Sequence, residues 1–391
     1  MVSSSGSSGL RAVLSAMIQE AGGRLRFRDW MEAALYHPQW GYYMAQRPRL
    51  GREGDFVTAP EMTSLFGELL ALQWIEVWQA MGKPNPFTVV EAGAGSGRLA
   101  LDVLTTSARF ADYYAALRYV IIERSPDFQQ RQKLLLEDVA ASGRPVFWCE
   151  ALQELDAGQG IEGVIFSNEF LDAFPVHWVE MGEAGLLELA IAERQDGGWE
   201  VVAVEPQAPL EPDYLSGLET PLPIGVRTEV GLDGQHWVAE AAGRLQRGVM
   251  VTIDYGYTGP EYYHASRLEG TLTGFWQHAQ LNDPLAHPGE MDLTAHVDFS
   301  AVARVGERAG VRTMGYTTQG WFLMGLGILE RLEQLRAKMA PGEALESLEK
   351  TVQRLVMPQA MGDRFKVLAQ GRGVDPLKLS GFRLNDQRHR L

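Results

Sequence analysis

From Leu10 onward, the apolar positions Leu10, Val13, Leu14, Met17 and Ile18 recur with the spacing of one helix face. A second short helical pattern runs to about Tyr36, where His37-Pro38 stops it. After Pro60, the positions Met62, Leu65, Phe66, Leu69, Leu70, Trp74, Val77, Trp78 and Met81 predict a strong helix. The period then changes. Short apolar runs at Phe87 to Val90, Tyr119 to Ile122, Val146 to Trp148, Val164 to Phe166 and Val249 to Ile253 are separated by helix-length segments. This alternation predicts an α/β fold with a mostly parallel, Rossmann-like sheet covered on both faces.

Between the fourth and fifth runs lies an insertion. Alternating segments at Leu186 to Ala192 and Trp199 to Val204 predict an antiparallel extension, followed by a proline-rich stretch from Pro206 to Pro223. Helical patterns return at 298–310 and 320–357, and Phe365 to Leu368 reads as a late strand. The Ser/Gly run of residues 3–9 reads as a flexible linker or tag. The expected organisation is a linker (1–9), a helical N-terminal cap with a lid motif (10–82) and a core that binds a ligand at its sheet (83–175). The insertion (176–246) and the remainder of the sheet with a helical subdomain (247–391) complete it.

The chain of 391 residues is 46% hydrophobic and has a formal net charge of -15, so it can bury a large core. It has no basic surplus for phosphates, which argues against nucleic acid and favours a basic protein partner. No apolar run has membrane-spanning length, so no membrane insertion is expected. The single cysteine, Cys149, sits in an apolar run that reads as a buried strand. With no secretory signal legible at the N-terminus, a reducing, cytoplasmic location in a bacterial cell is the expectation. No cluster has metal-ligand spacing. Helices in the C-terminal third could pack internally or form a homodimer.

Glu91-Ala92-Gly93-Ala94-Gly95-Ser96-Gly97 joins the first predicted strand to a helix beginning near Arg98. Glycines accept φ > 0 and leave room for a ligand on the backbone, while the helix start offers free N–H groups. Gly93, Gly95 and Gly97 form G-x-G-x-G rather than the G-x-G-x-x-G of dinucleotide sites. That spacing and the preceding acid indicate S-adenosylmethionine, whose ammonium and sulfonium are cationic and suit Glu91. Glu123 ends the second strand run, where a carboxylate can accept from ribose hydroxyls. After the third run, Glu150 and Leu152 are candidates for the adenine amine and ring.

The segment Ser167-Asn168-Glu169-Phe170-Leu171-Asp172 follows the fourth run, at the sheet end that faces ligands. Asn168, Glu169 and Asp172 are therefore candidates for chemistry. If the segment turns helically, Glu169 and Asp172 share a face; otherwise Asp172 is a turn or cap residue. A carboxylate pair suits a guanidinium acceptor, with Glu169 the first choice for gripping it. These acids leave a lysine or a small-molecule acceptor open.

Taken in order, the motifs Gly41-Tyr42-Tyr43, Gly54 to Glu61, Phe66-Gly67-Glu68, Glu91 to Gly97, Ser167 to His177, Ile253-Asp254-Tyr255-Gly256, Asp292 to Phe299, Met361-Gly362 and Phe365 to Leu368 resemble the MidA-like family. That family includes the mitochondrial complex I assembly-factor protein arginine methyltransferase. The resemblance spans nearly the whole chain past the Ser/Gly run and implies a class I methyltransferase fold, S-adenosylmethionine as donor, and symmetric dimethylation of arginine on a partner protein, for which a respiratory-complex subunit is the family precedent. It further implies that Asp55, Thr58, Pro60 and Glu61 fold over the donor as a lid, with Thr58 and Pro60 on the donor side and Asp55 and Glu61 on the substrate side. His296 is a further substrate-side candidate, although a histidine before a helix capped by Asp298 also has a purely structural reading. Gly270 to His278 departs from the family's more basic pattern. Competing readings are a methyltransferase for another acceptor, an assembly protein with a vestigial donor site and, more distantly, a dehydrogenase.

Overall fold

The computed structural model describes residues 4–45, 58–141, 146–155, 160–207, 210, 222–264, 266–277 and 279–391, with side chains from Gly9 onward. The chain divides into two compact units, one of Met1–Phe56, Leu171–His236 and Tyr257–Ala301, the other of Val57–Phe170, Trp237–Gly256 and Val302–Leu391. The expected cap (10–82) is thus split at 56/57, and both the insertion and the C-terminal segment are shared between units. Each unit is built from chain segments far apart in sequence, which local periodicity does not register.

The first unit carries the helices Ser4–Glu20 and Phe27–Tyr36. Residues 4–9, expected as a linker, are helical; once the apolar face from Leu10 nucleates the helix, extension by weak formers costs little. An antiparallel sheet contains Leu25–Arg26, His177–Met181, Leu186–Glu193, Trp199–Val204 and Arg227–Val230. The predicted pair at 186–192 and 199–204 forms an antiparallel ladder in that sheet, Trp199–Val204 pairing only with Leu186–Glu193. Much of the proline-rich stretch that follows lies outside the described residues. Leu10, Leu14, Trp30, Trp178, Ile191 and Leu293 meet in one apolar core.

The second unit contributes seven consecutive neighbours of an eight-stranded sheet: β1 (Phe87–Ala92), β2 (Leu117–Ile122), β3 (Val146–Cys149), β4 (Ile161–Asn168), β5 (Leu245–Tyr257), β6 (Arg312–Thr318) and β7 (Phe365–Arg372), the eighth strand being the short Val297–Asp298 paired to β5. The spatial order of the seven is 3-2-1-4-5-7-6. Among them only β7 runs against its neighbours; the other pairings are parallel. β1 is buried along its whole length, as expected for a strand covered on both faces. The order reverses between β1 and β4, and the crevice outside the carboxyl ends of those strands is where such sheets bind ligands.

The helix expected after Pro60 is two helices, α1 (Ala59–Met62) and α2 (Leu65–Ala80). Thr63 is extended (φ -163°, ψ 143°) and its Oγ1 accepts from Leu65 N at 3.2 Å, which breaks one helix and starts the next. α2 buries Phe66, Leu70, Trp74 and Val77 against the sheet, with Trp74 5.3 Å from the Phe166 ring. Gly67 lets α2 approach α3 (Arg98–Ser107): a Cβ there would stand 2.6 Å from that of Asp102. Glu68 receives Arg109, just past α3, at 3.1 Å and Arg331 at 3.0 Å, the latter tying α2 to the helix Ile328–Arg336. Phe365 to Leu368 are strand residues, as expected. Among the described residues no helix is long and apolar enough to cross a membrane, and no group of His, Cys, Asp or Glu could hold a metal ion.

Candidate functional site

At the end of β1 the backbone of Gly93 still donates to Ile122 O at 2.9 Å, and then the chain leaves the sheet. Gly93, Gly95 and Gly97 all have positive φ (69°, 54° and 85°), and Gly97 is the N-cap of α3. This is the cradle the spacing predicts. Ser96 Oγ accepts from Arg98 N at 3.2 Å and donates to the carboxylate of Glu61 on α1. Glu61 therefore braces the glycine loop, although the sequence placed it on the substrate side. Thr58 precedes α1 in the N-cap position without a side-chain bond, and Pro60 is buried in the first turn. Asp55 lies outside the described residues.

Glu91 is buried on β1, where the Tyr119 hydroxyl donates to its Oε2 at 2.6 Å. Burial pushes it up to about 7 against that bond, and the neighbouring Glu123 charge adds to the rise. Glu123 is also buried; Ser125 N donates to its Oε1 at 2.9 Å and Gln132 Nε2 to its Oε2 at 3.1 Å. Burial raises it to about 7 as well, opposed by those donors and the Arg124 backbone. Three donors against about four acceptor positions leave the carboxylate room for a further partner. Leu152 is buried in a short 3₁₀ turn, and Glu150 before it is exposed, its backbone N–H bonded to Glu154 at 3.1 Å. Cys149 is buried on β3, as read, and burial pushes its thiol up to about 11, away from reactivity.

The end of β4 is the most strained part of the site. Glu169 has φ 51°, a left-handed conformation costing about 1–3 kcal/mol for a non-glycine residue. Three bonds offset that cost, each contributing about 1 kcal/mol net: Glu169 N donates to Ile253 O at 2.9 Å, Phe170 N to Asp254 Oδ2 at 3.1 Å, and Ala59 N to the Glu169 carboxylate. Asn168 Nδ2 (3.2 Å) and the Tyr255 hydroxyl (3.4 Å) complete the Glu169 surroundings. Burial and the charge of fully buried Asp254 push Glu169 up to about 8, those hydrogen bonds opposing. Asn168 Oδ1 is buried with no hydrogen-bond partner among the described residues.

The carboxylate partner of Glu169 is thus Asp254 rather than Asp172. A left-handed residue ends any helical path, so the shared helical face expected for Glu169 and Asp172 does not form. Asp172 belongs to the other unit, in a turn closed by Phe174 N on Leu171 O at 3.2 Å, and its carbonyl accepts from Ala295 N at 3.0 Å. His296 is also in that unit. Its backbone donates to Thr271 Oγ1 at 3.0 Å, and Thr271 is gripped by buried Glu229 through N–H and hydroxyl bonds of 2.9 Å. Asp298 caps the following helix, its Oδ1 accepting from Ala301 N at 3.0 Å. Sequence reading assigned no role to Tyr119, Gln132 or Asp254. Asp254 had a signal, its place in Ile253-Asp254-Tyr255-Gly256; Tyr119 and Gln132 had none.

Three raised carboxyls give a signed expectation. Glu91, Glu123 and Glu169 carry folded values of about 7, 7 and 8 against 4.5 for the free group, so the folded chain binds more protons between those limits. Their contribution is fully present below pH 4.5 and lost as pH rises through 7 and 8. Calorimetric melting from pH 5 to 9 should show wild type losing stability relative to Glu169→Gln on approaching pH 8. A constant difference between the two proteins would remove the raised value.

A family model of S-adenosyl-L-methionine-dependent methyltransferases, Methyltransf_28, matches residues 69–317. The chain is 34% identical over 397 residues to the mitochondrial protein arginine methyltransferase NDUFAF7 homologue of Drosophila melanogaster, covering 95% of this chain and 86% of that protein. Against protein arginine methyltransferase NDUFAF7 of Homo sapiens the identity is 29%, covering 89% and 80%. A Burkholderia thailandensis crystal structure bound to S-adenosyl-homocysteine superposes with a TM-score of 0.88 at 35% identity, covering 99% of this chain and 97% of that one. With its sheet order, its glycine cradle and these matches, the chain belongs to this family of S-adenosyl-L-methionine-dependent methyltransferases and carries the MidA-like pattern of motifs.

Proposed function

We propose that the chain methylates arginine side chains of a partner protein, with symmetric dimethylarginine as product and a respiratory-complex subunit as the class of substrate. The observation that carries this reading is Glu169: a half-buried carboxylate held in a left-handed backbone at the carboxyl end of β4, with Asp254 behind it. A guanidinium stays protonated and matches a carboxylate bidentately, so it would pair with Glu169 and favour its ionised form. The relatives named protein arginine methyltransferase support the same acceptor.

The residues present fit the donor. Three positive-φ glycines leave the loop backbone open, the two buried acids suit cationic and hydroxyl groups, and Asn168 Oδ1 is an acceptor still to be satisfied. Glu91 would orient the ammonium end, Glu123 the ribose, and Leu152 would pack on the adenine with Glu150 at its amine. Thr58 and Pro60, at the start of α1, would exclude water from the donor, with Glu61 holding the loop through Ser96. When bound, S-adenosylmethionine supplies an electrophilic methyl on a sulfonium. The protein's work is then to align the acceptor nitrogen and keep water away. Mass spectrometry of a strain lacking this gene should show symmetric dimethylarginine lost from one or a few proteins and restored by the purified enzyme. Loss of methyl-lysine instead, or of no protein methylation, would reject the acceptor.

A further inference from the structure

Gln132 lies on α4 (Pro126–Leu135), and its side chain is fully buried with all three of its polar links satisfied. Nε2 donates both to Gly95 O at 2.9 Å and to Glu123 Oε2 at 3.1 Å, while Oε1 accepts from Trp148 Nε1 at 3.0 Å. One amide therefore touches the glycine loop after β1, the acid after β2 and a side chain of β3. Gly97 packs on it from the loop side, where a Cβ would stand 3.1 Å from Gln132 Cγ. No other amide geometry would serve: an acid would repel Glu123 and Gly95 O, and a hydrocarbon would leave three polar groups unpaired.

We propose that Gln132 is the positioning residue of the donor site, presenting Glu123 to the ribose and setting the glycine loop relative to it. This rests on reading Glu123 as the ribose acid. Ser125 N holds Oε1 of Glu123 from the backbone, and the Gln132 amide fixes Oε2 as well, so that the carboxylate meets hydroxyls in one geometry.

Calorimetry on the full chain with S-adenosyl-homocysteine and its 2′-deoxy and 3′-deoxy analogues tests it. In the wild type each missing hydroxyl should weaken binding about tenfold or more. In Gln132→Leu, S-adenosyl-homocysteine should itself bind at least about tenfold more weakly, with the penalty for a missing hydroxyl shrinking below about twofold. Trp148→Phe, which releases only the Oε1 side, should shrink that penalty part-way, and it carries the test if the leucine variant does not fold. A variant that weakens all three ligands by one factor, or leaves the hydroxyl penalty intact, overturns the proposal, because mere loosening of the fold would act that way. A wild-type protein indifferent to both hydroxyls overturns the ribose assignment of Glu123, and the proposal with it.

Discussion

Gly93→Val should raise the dissociation constant for S-adenosyl-homocysteine by at least about 100-fold, equivalent to about 2.7 kcal/mol. Gly93 sits at φ 69°, which a β-branched residue adopts only under strain, and its new Cβ would stand 2.5 Å from Phe170 Cδ2. The ring has little room to give way. Phe170 packs edge-on against Trp237 at 5.0 Å, and its N–H is bonded to Asp254. The cradle must therefore move instead. Gly82→Val is the control: φ there is 83° and nothing lies within 4 Å, so it carries the backbone strain without the collision. Calorimetry should show Gly82→Val binding as wild type does. Equal affinities for all three proteins would show that this loop does not hold the donor.

Glu169→Gln should keep donor binding within about threefold while lowering transfer by about 10²–10⁴-fold, the scale of removing one partner from a buried charge pair. The amide keeps the shape of the side chain, so loop and sheet are retained. What disappears is the negative charge facing the acceptor. Steady-state rates with a methylatable protein, read beside donor binding, separate the two effects. An undiminished rate takes Glu169 out of the reaction. A loss of both binding and rate would instead place it in the donor site.

Several elements were legible because their causes are local. The five apolar runs became β1 to β5, the pair at 186–204 became an antiparallel ladder, and Asp298 caps its helix as read. The three glycines showed the backbone conformation their spacing implied. Local reasoning failed where a distant residue overrides the pattern. Residues 4–9 extend a helix nucleated beyond them, and α2 begins only after Thr63 breaks the chain's course. Glu169 and Asp172, three apart in sequence, belong to different units.

By itself, the sequence determined the α/β class, the glycine cradle with Glu91 beside it, and the acids at the ends of the first two strands. Each is a matter of periodicity, backbone freedom or a residue's place after a strand, and these act over a few residues. Only the tertiary structure decided which groups those acids face. Glu169 meets Asp254 because β4 and β5 pair in parallel, and its carboxyl rises to about 8 because desolvation, and after it the charge of Asp254, disfavours its ionised form. Gln132 is one of three glutamines in Phe128-Gln129-Gln130-Arg131-Gln132, alike as letters. Folding buries it beneath the glycine loop while Gln130 stays exposed, and burial makes its amide decide the geometry of its neighbours.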